Sequence, residues 1–127
     1  MIHTIISEGL HDKAFVEKWC TGFDELADAV RSYTPEKVAE ITWLKAEDIQ
    51  AAARMIATNK PGHIPFGLGT AELGKGTNAA VFGKTYLRAI TGNLDIEGGA
   101  RFADAPDNTH FREEMHWAAL IDHPLRT

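Results

Sequence analysis

Apolar residues recur at helical spacing through the first half of the chain, and capping residues, glycines and prolines break them into short segments. Ile2, Ile5 and Ile6 share one helical face, and Gly9 closes the turn that follows. Asp12 is placed to cap a second helix carrying Phe15, Val16 and Trp19 toward a core. After Thr21-Gly22, Leu26, Ala27 and Val30 repeat the pattern over Asp24–Ser32. Thr34-Pro35 joins an N-cap side chain to proline at the first helical position, and the helix it starts ends near Ile41. The clearest helix is Ala46–Thr58, where Ile49, Ala52, Ala53 and Ile56 fall at i, i+3, i+4 and i+7. Asn59 and Pro61 end it.

The pattern then changes. A short apolar run, His63–Phe66, predicts a strand. It opens into a loop holding Gly67, Gly69, Gly74 and Gly76, then into a helix from about Thr77 to Thr91. Ala79, Ala80, Val81, Phe82, Leu87, Ala89 and Ile90 make that helix apolar on most sides, which predicts packing between other elements. Gly92-Asn93 ends it, and Asp95–Gly99 is a turn-rich exit. Ala103–Thr127 has weak periodicity and two prolines, Pro106 and Pro124. One strand with several helices cannot close a sheet, so the prediction is an α/β fold that lacks strands its own pattern requires.

Composition narrows the chemistry. A chain of 127 residues with net charge −5 has room for one modest domain and no basic surface for nucleic acid or anionic lipid. No apolar run is long enough to cross a membrane, and no targeting segment is read at Met1–Ile6. The single cysteine, Cys20, excludes an internal disulfide or a multi-cysteine cluster within the chain. The six histidines (His3, His11, His63, His110, His116 and His123) lack the short spacings of a metal site.

The strand, glycine loop and helix are the chemical candidate. Glycine lets a backbone amide approach a ligand closely, and a helix N-terminus favours phosphate. Two generic phosphate motifs nearly fit. Gly69–Lys75 satisfies G-x-x-x-x-G-K, but Gly76 stands where Ser or Thr should hold magnesium, and Glu72 would repel phosphate. Gly67-Leu68-Gly69 gives half of a dinucleotide fingerprint, with the third glycine misplaced at Gly74.

Several segments together resemble one family, in its order along the chain. Ile5–Val16 resembles the "II-x-EGL-x-D-x-x-F" stretch of the molybdopterin oxidoreductases, the dimethyl-sulfoxide-reductase superfamily. Thr21–Leu26 resembles its "TGF-(D/E)-E" element, Tyr33–Thr42 its "YTPE" segment, and Ala46–Ala57 its "AAR" helix. Phe66–Gly69 is similar to its "WG-x-G" loop, and Leu87–Gly99 to its "LRAITGN" exit. Departures are Phe66 for the usual Trp, Trp43 where Gly is usual, Glu72 where Gln is frequent, and Glu97 for Pro.

The resemblance implies that residues 1–102 are part of a molybdopterin-dinucleotide-binding domain, the helix-rich part of a Rossmann-like three-layer αβα fold. Residues 103–127 are an extension of unassigned role. It implies a molybdopterin guanine dinucleotide cofactor with molybdenum or tungsten, with Gly67, Leu68, Gly69, Thr70, Glu72, Gly92 and Asn93 as candidate cofactor-binding residues. No catalytic residue or metal ligand falls in this chain, and an iron–sulfur cluster is expected elsewhere in the parent protein. Expected partners are the remainder of the catalytic subunit and electron-transfer subunits, in the cytoplasm or periplasm. A small triphosphate-binding module at Gly69–Lys75 and a scaffold without catalysis are the alternatives.

Overall fold

Two helices begin at side-chain caps that the sequence supplies. The computed structural model describes residues 1–72 and 76–101, so Leu73, Gly74, Lys75 and the 103–127 extension lie outside the described residues. Seven helices follow in order: α1 Ile2–Ser7, α2 Lys13–Trp19, α3 Phe23–Val30, α4 Pro35–Thr42, α5 Ala46–Thr58, α6 Leu68–Glu72 and α7 Thr77–Ile90. Asp12 caps α2 by accepting from the Phe15 amide at 3.0 Å. Thr34 caps α4 by accepting from the Lys37 amide at 3.4 Å, with Pro35 at the first position. Both caps sit where the sequence pattern puts them.

The core is small. Ile5, Val16, Ala53, Ala57, Leu87 and Ile90 form its buried centre, with Leu10, Phe23, Leu26 and Ile56 half-buried against it. The small side chains Ala53 and Ala57 present a smooth stripe on α5, against which α1 packs; α4 packs on the same helix. α7 meets α2 and α1.

Two expectations are corrected. Among the described residues there is no strand, only an isolated bridge between Leu94 and Ala100. His63–Phe66 has no regular secondary structure, and the Ile64 and Pro65 carbonyls accept from side chains of α7 rather than from a neighbouring strand. The described part is therefore helix-rich, not a sheet domain. The apolar faces are likewise only partly covered: α7 contacts α6, α2 and α1, but Phe82 and Tyr86 are exposed, and Trp19, whose spacing on α2 puts it toward a core, is 67% exposed. The outer side of α7 around Phe82 and Tyr86 has no covering element among the described residues.

Trp43 ends α4 in the left-handed region at φ 61°, with its ring 94% exposed. A side chain is strained there, and this is the position at which the resembled family carries glycine. Trp43→Gly is expected to stabilise the chain by about 0.5–1 kcal/mol, since strain is relieved and almost no packing is lost. Urea denaturation of both proteins at neutral pH measures it.

Candidate functional site

The polar residues of the chain converge where α5 ends, α7 ends and the strap between them passes. We use strap for residues 60–67, which follow α5 and lead into α6. Asn93 is wholly buried at this joint. Its Oδ1 accepts from the Gly62 amide at 2.7 Å, and its Nδ2 donates to Thr91 Oγ1 at 2.8 Å and to the Ile56 carbonyl at 3.4 Å. Its backbone amide donates to the Arg88 carbonyl at 2.8 Å, and its own carbonyl accepts from the Ala100 amide at 2.9 Å. One side chain thus ties α5, the strap and the exit of α7.

Asp12 closes the joint from the other side. Besides capping α2, it accepts from Lys60 Nζ at 2.6 Å, and its amide donates to the Ile90 carbonyl at 2.8 Å. The Lys60 hydrogen bond, then the Phe15 amide, hold the Asp12 carboxyl below its ordinary value of 3.8. Gly92, buried between them at φ 65°, leaves room for that carboxylate; a Cβ there would collide with Asp12 Oδ2. Farther out, Arg54 makes a forked pair with Glu8 at 2.8 and 2.7 Å, which lowers the Glu8 carboxyl, but this pair is exposed and contributes little.

The strap leaves this joint toward solvent. His63 Nδ1 lies 3.2 Å from the Gly99 carbonyl, Arg88 donates to the Ile64 carbonyl, and Lys84 Nζ donates to the Pro65 carbonyl at 3.4 Å. Phe66 is 45% exposed, with Lys84 Nζ 5.1 Å and the Arg88 guanidinium 4.2 Å from its ring centre. Leu68, Gly69, Thr70 and Glu72 then form the short helix α6, an element the glycine pattern did not predict. Leu68 is 74% exposed, and Glu72 is exposed.

The candidate residues therefore fall into two places. Gly92 and Asn93 are buried and engaged within the chain, whereas Gly67, Leu68, Gly69 and Glu72 sit on the outward loop, with Thr70 in the same short helix. Gly67 differs from Gly92 in kind. Its φ is not left-handed, and a Cβ built on it meets nothing within 4 Å. Nothing among the described residues requires glycine at this position.

Sequence reasoning missed Lys84, Arg88 and Lys60. The available signal was a pair of cations four residues apart on an otherwise apolar helix, and a lysine just after a helix end. Among the described residues no three His, Cys, Asp or Glu side chains come together as a metal site. Cys20 is half-buried, and burial pushes its thiol up, away from a reactive thiolate. A cleft of about 630 Å³ lies away from the strap, lined by Phe15, Trp19, Cys20, Ala89 and the 94–96 turn.

Comparison with known proteins identifies the family. No family model matches the chain. Acetylene hydratase of Syntrophotalea acetylenica is 44% identical over 106 residues, which is 84% of this chain and 14% of that protein. Formate dehydrogenase H of Escherichia coli is 44% identical over 94 residues, 74% of this chain and 13% of that protein. The solved structure of acetylene hydratase from Pelobacter acetylenicus superposes with a TM-score of 0.69 at 46% identity, covering 72% of this chain and 12% of that one. The chain belongs to the molybdopterin oxidoreductase superfamily. It spans only about one seventh of the length of these two curated relatives. A dimethyl sulfoxide reductase of Escherichia coli, DmsA, is also similar, at 31% identity over 119 residues.

The Asp12–Lys60 pair makes the joint of this superfamily member sensitive to acid. A depressed carboxyl contributes stability that is fully present above its unfolded value of 3.8 and is lost as pH falls through the lower folded value. Lys60→Met removes the main cause of the depression. The variant is expected to lose about 1 kcal/mol at neutral pH and to show a shallower decline between about pH 5 and pH 2. Urea midpoints across that range test it; parallel curves for the two proteins would contradict the assignment.

Proposed function

We propose that this chain is part of a molybdenum or tungsten enzyme carrying two pyranopterin guanine dinucleotides, and that it helps to bind one of them. In this reading it forms the helical part of a Rossmann-like αβα domain, and its sheet lies in the remainder of the catalytic subunit. The metal ligand and the iron–sulfur cluster belong to other parts of that subunit. When bound, the metal centre supplies two-electron redox chemistry, or hydration of the kind named by the acetylene hydratase relatives. This chain supplies binding and orientation.

The observation that carries the reading is Gly67, which has ordinary backbone and no crowding, on a loop held by a rigid polar joint. Its missing side chain makes room for something outside the chain. Gly67, Leu68, Gly69 and Thr70 are the residues that approach the dinucleotide in this reading. Gly92 and Asn93 act behind them, by fixing the corner from which the strap leaves. Glu72 is a poor neighbour for phosphate and suits the metal end of the cofactor, where a carboxylate can hold a proton.

The exposed Trp19, Phe82 and Tyr86 agree with a chain that packs against the rest of a larger subunit. Electron-transfer subunits are further proposed partners. The rival triphosphate reading depends on Lys75, which lies outside the described residues.

A chimera tests the proposal. The matching segment of formate dehydrogenase H is replaced by that of this chain, and pterin and metal are measured per folded protein. The chimera is expected to retain both, and Gly67→Val in it to lower pterin content by about tenfold, equivalent to 1.4 kcal/mol. A folded chimera whose pterin content ignores Gly67→Val would overturn the reading.

A further inference from the structure

We infer that Arg88 is a positioning residue that aims the Gly67 loop, by latching the strap to α7 through the Ile64 carbonyl and the Phe66 ring. The inference rests on the reading of that loop as cofactor-facing and extends it to a residue placed behind the loop, on α7.

Arg88 is an unusual residue to bury. It is 7% exposed on α7, and among the described residues no carboxylate pairs with it. Its Nε is buried without a partner. Burying a cation in this way costs stability, and a leucine would serve the core better. What the guanidinium does have is the strap: one nitrogen donates to the Ile64 carbonyl, and its Cζ lies over the Phe66 ring, 4.2 Å from the ring centre. Arg88 therefore stabilises a particular path of the strap rather than the core.

The strap needs such a hold. Among the described residues it has no ladder partner, and Asn93 fixes it at Gly62. Between Gly62 and Gly67 it is held, among the described residues, by His63 at the Gly99 carbonyl, by Ile64 half-buried against the core, and by the two cations of α7. Lys84 and Arg88 stand one helical turn apart and take successive carbonyls, those of Pro65 and Ile64. Their charges flank the same ring, an arrangement that cation–π attraction favours. The guanidinium is flat and can both donate in its plane and stack on its face; an ammonium cannot do both. Removing Arg88 loosens the strap between Ile64 and Gly67, while the Asn93 joint and the Ile64 packing on the core remain.

The test uses backbone ¹⁵N relaxation on the full 127-residue chain, with Arg88→Met, Arg88→Lys and Phe66→Leu. In Arg88→Met, order parameters at Ile64 and Phe66–Leu68 are expected to fall from about 0.85 to below about 0.6, while those of α5 stay unchanged. Arg88→Lys gives an intermediate fall, because it keeps a donor and loses the flat guanidinium. Phe66→Leu, on a half-exposed side chain, gives a fall at the same residues and covers the case in which Arg88→Met does not fold. Unchanged order parameters at these residues in Phe66→Leu and in the folded Arg88 variants overturn the latch. The chimera separates the latch from the cofactor reading: if Gly67→Val loses pterin and Arg88→Met does not, the aiming role is overturned and the cofactor reading stands. If neither loses pterin, it is the cofactor reading that fails.

Discussion

A single buried amide holds the described part of this chain together. Asn93 engages its side-chain oxygen and nitrogen and both of its backbone groups, reaching α5, the strap, α7 and the turn at Ala100. In a domain with a sheet, these segments would be aligned by ladder hydrogen bonds. Here no ladder exists among the described residues, so registration falls to one side chain. A buried amide suits this because it offers two donors and an acceptor in one plane, and leaving any of them unmet is costly.

Around that amide, polar ties do what a larger core would otherwise do. Only a handful of apolar residues are fully buried, and several large ones face solvent. Hydrophobic burial sets which faces of α1, α2, α5 and α7 meet, but it is non-directional. Direction comes from Asp12 and Asn93 at the joint and from Lys84 and Arg88 along the strap. The superfamily relation gives this division a physical sense: the segment matches a small share of much longer proteins, whose remaining surface can cover the apolar faces.

The helices were legible in the sequence because their signals are local. Asp12, Thr34-Pro35 and the Ile49–Ile56 stripe each specify structure within a few residues; both caps and the α5 helix appear where the pattern puts them, though its buried face runs through Ile49, Ala53 and Ala57, with Ala52 exposed. The strand at His63–Phe66 was not legible as a strap because its partners are side chains 24 and 19 positions farther on. No periodicity encodes a carbonyl bound by an arginine of a distant helix. The outer side of α7 misled for a related reason: an apolar face implies a cover, yet none of the described elements supplies it. At the site, glycine marked the right loop but could not say why each glycine is there. Gly92 yields to Asp12 inside the chain, whereas Gly67 yields to nothing among the described residues.

Gly62 illustrates how such a joint constrains the drift of its own sequence. Its backbone is not left-handed, so conformation alone would admit alanine; the obstacle is the terminal methyl of Ile56, which a new Cβ would strike. Position 62 is therefore coupled to the residue at 56, not set by backbone conformation. Alanine at 62 makes the Ile56 methyl swing aside, whereas valine at 56 removes that methyl beforehand. Tolerance at this corner is a property of the pair, and the cost of a change at one position depends on what the other already holds.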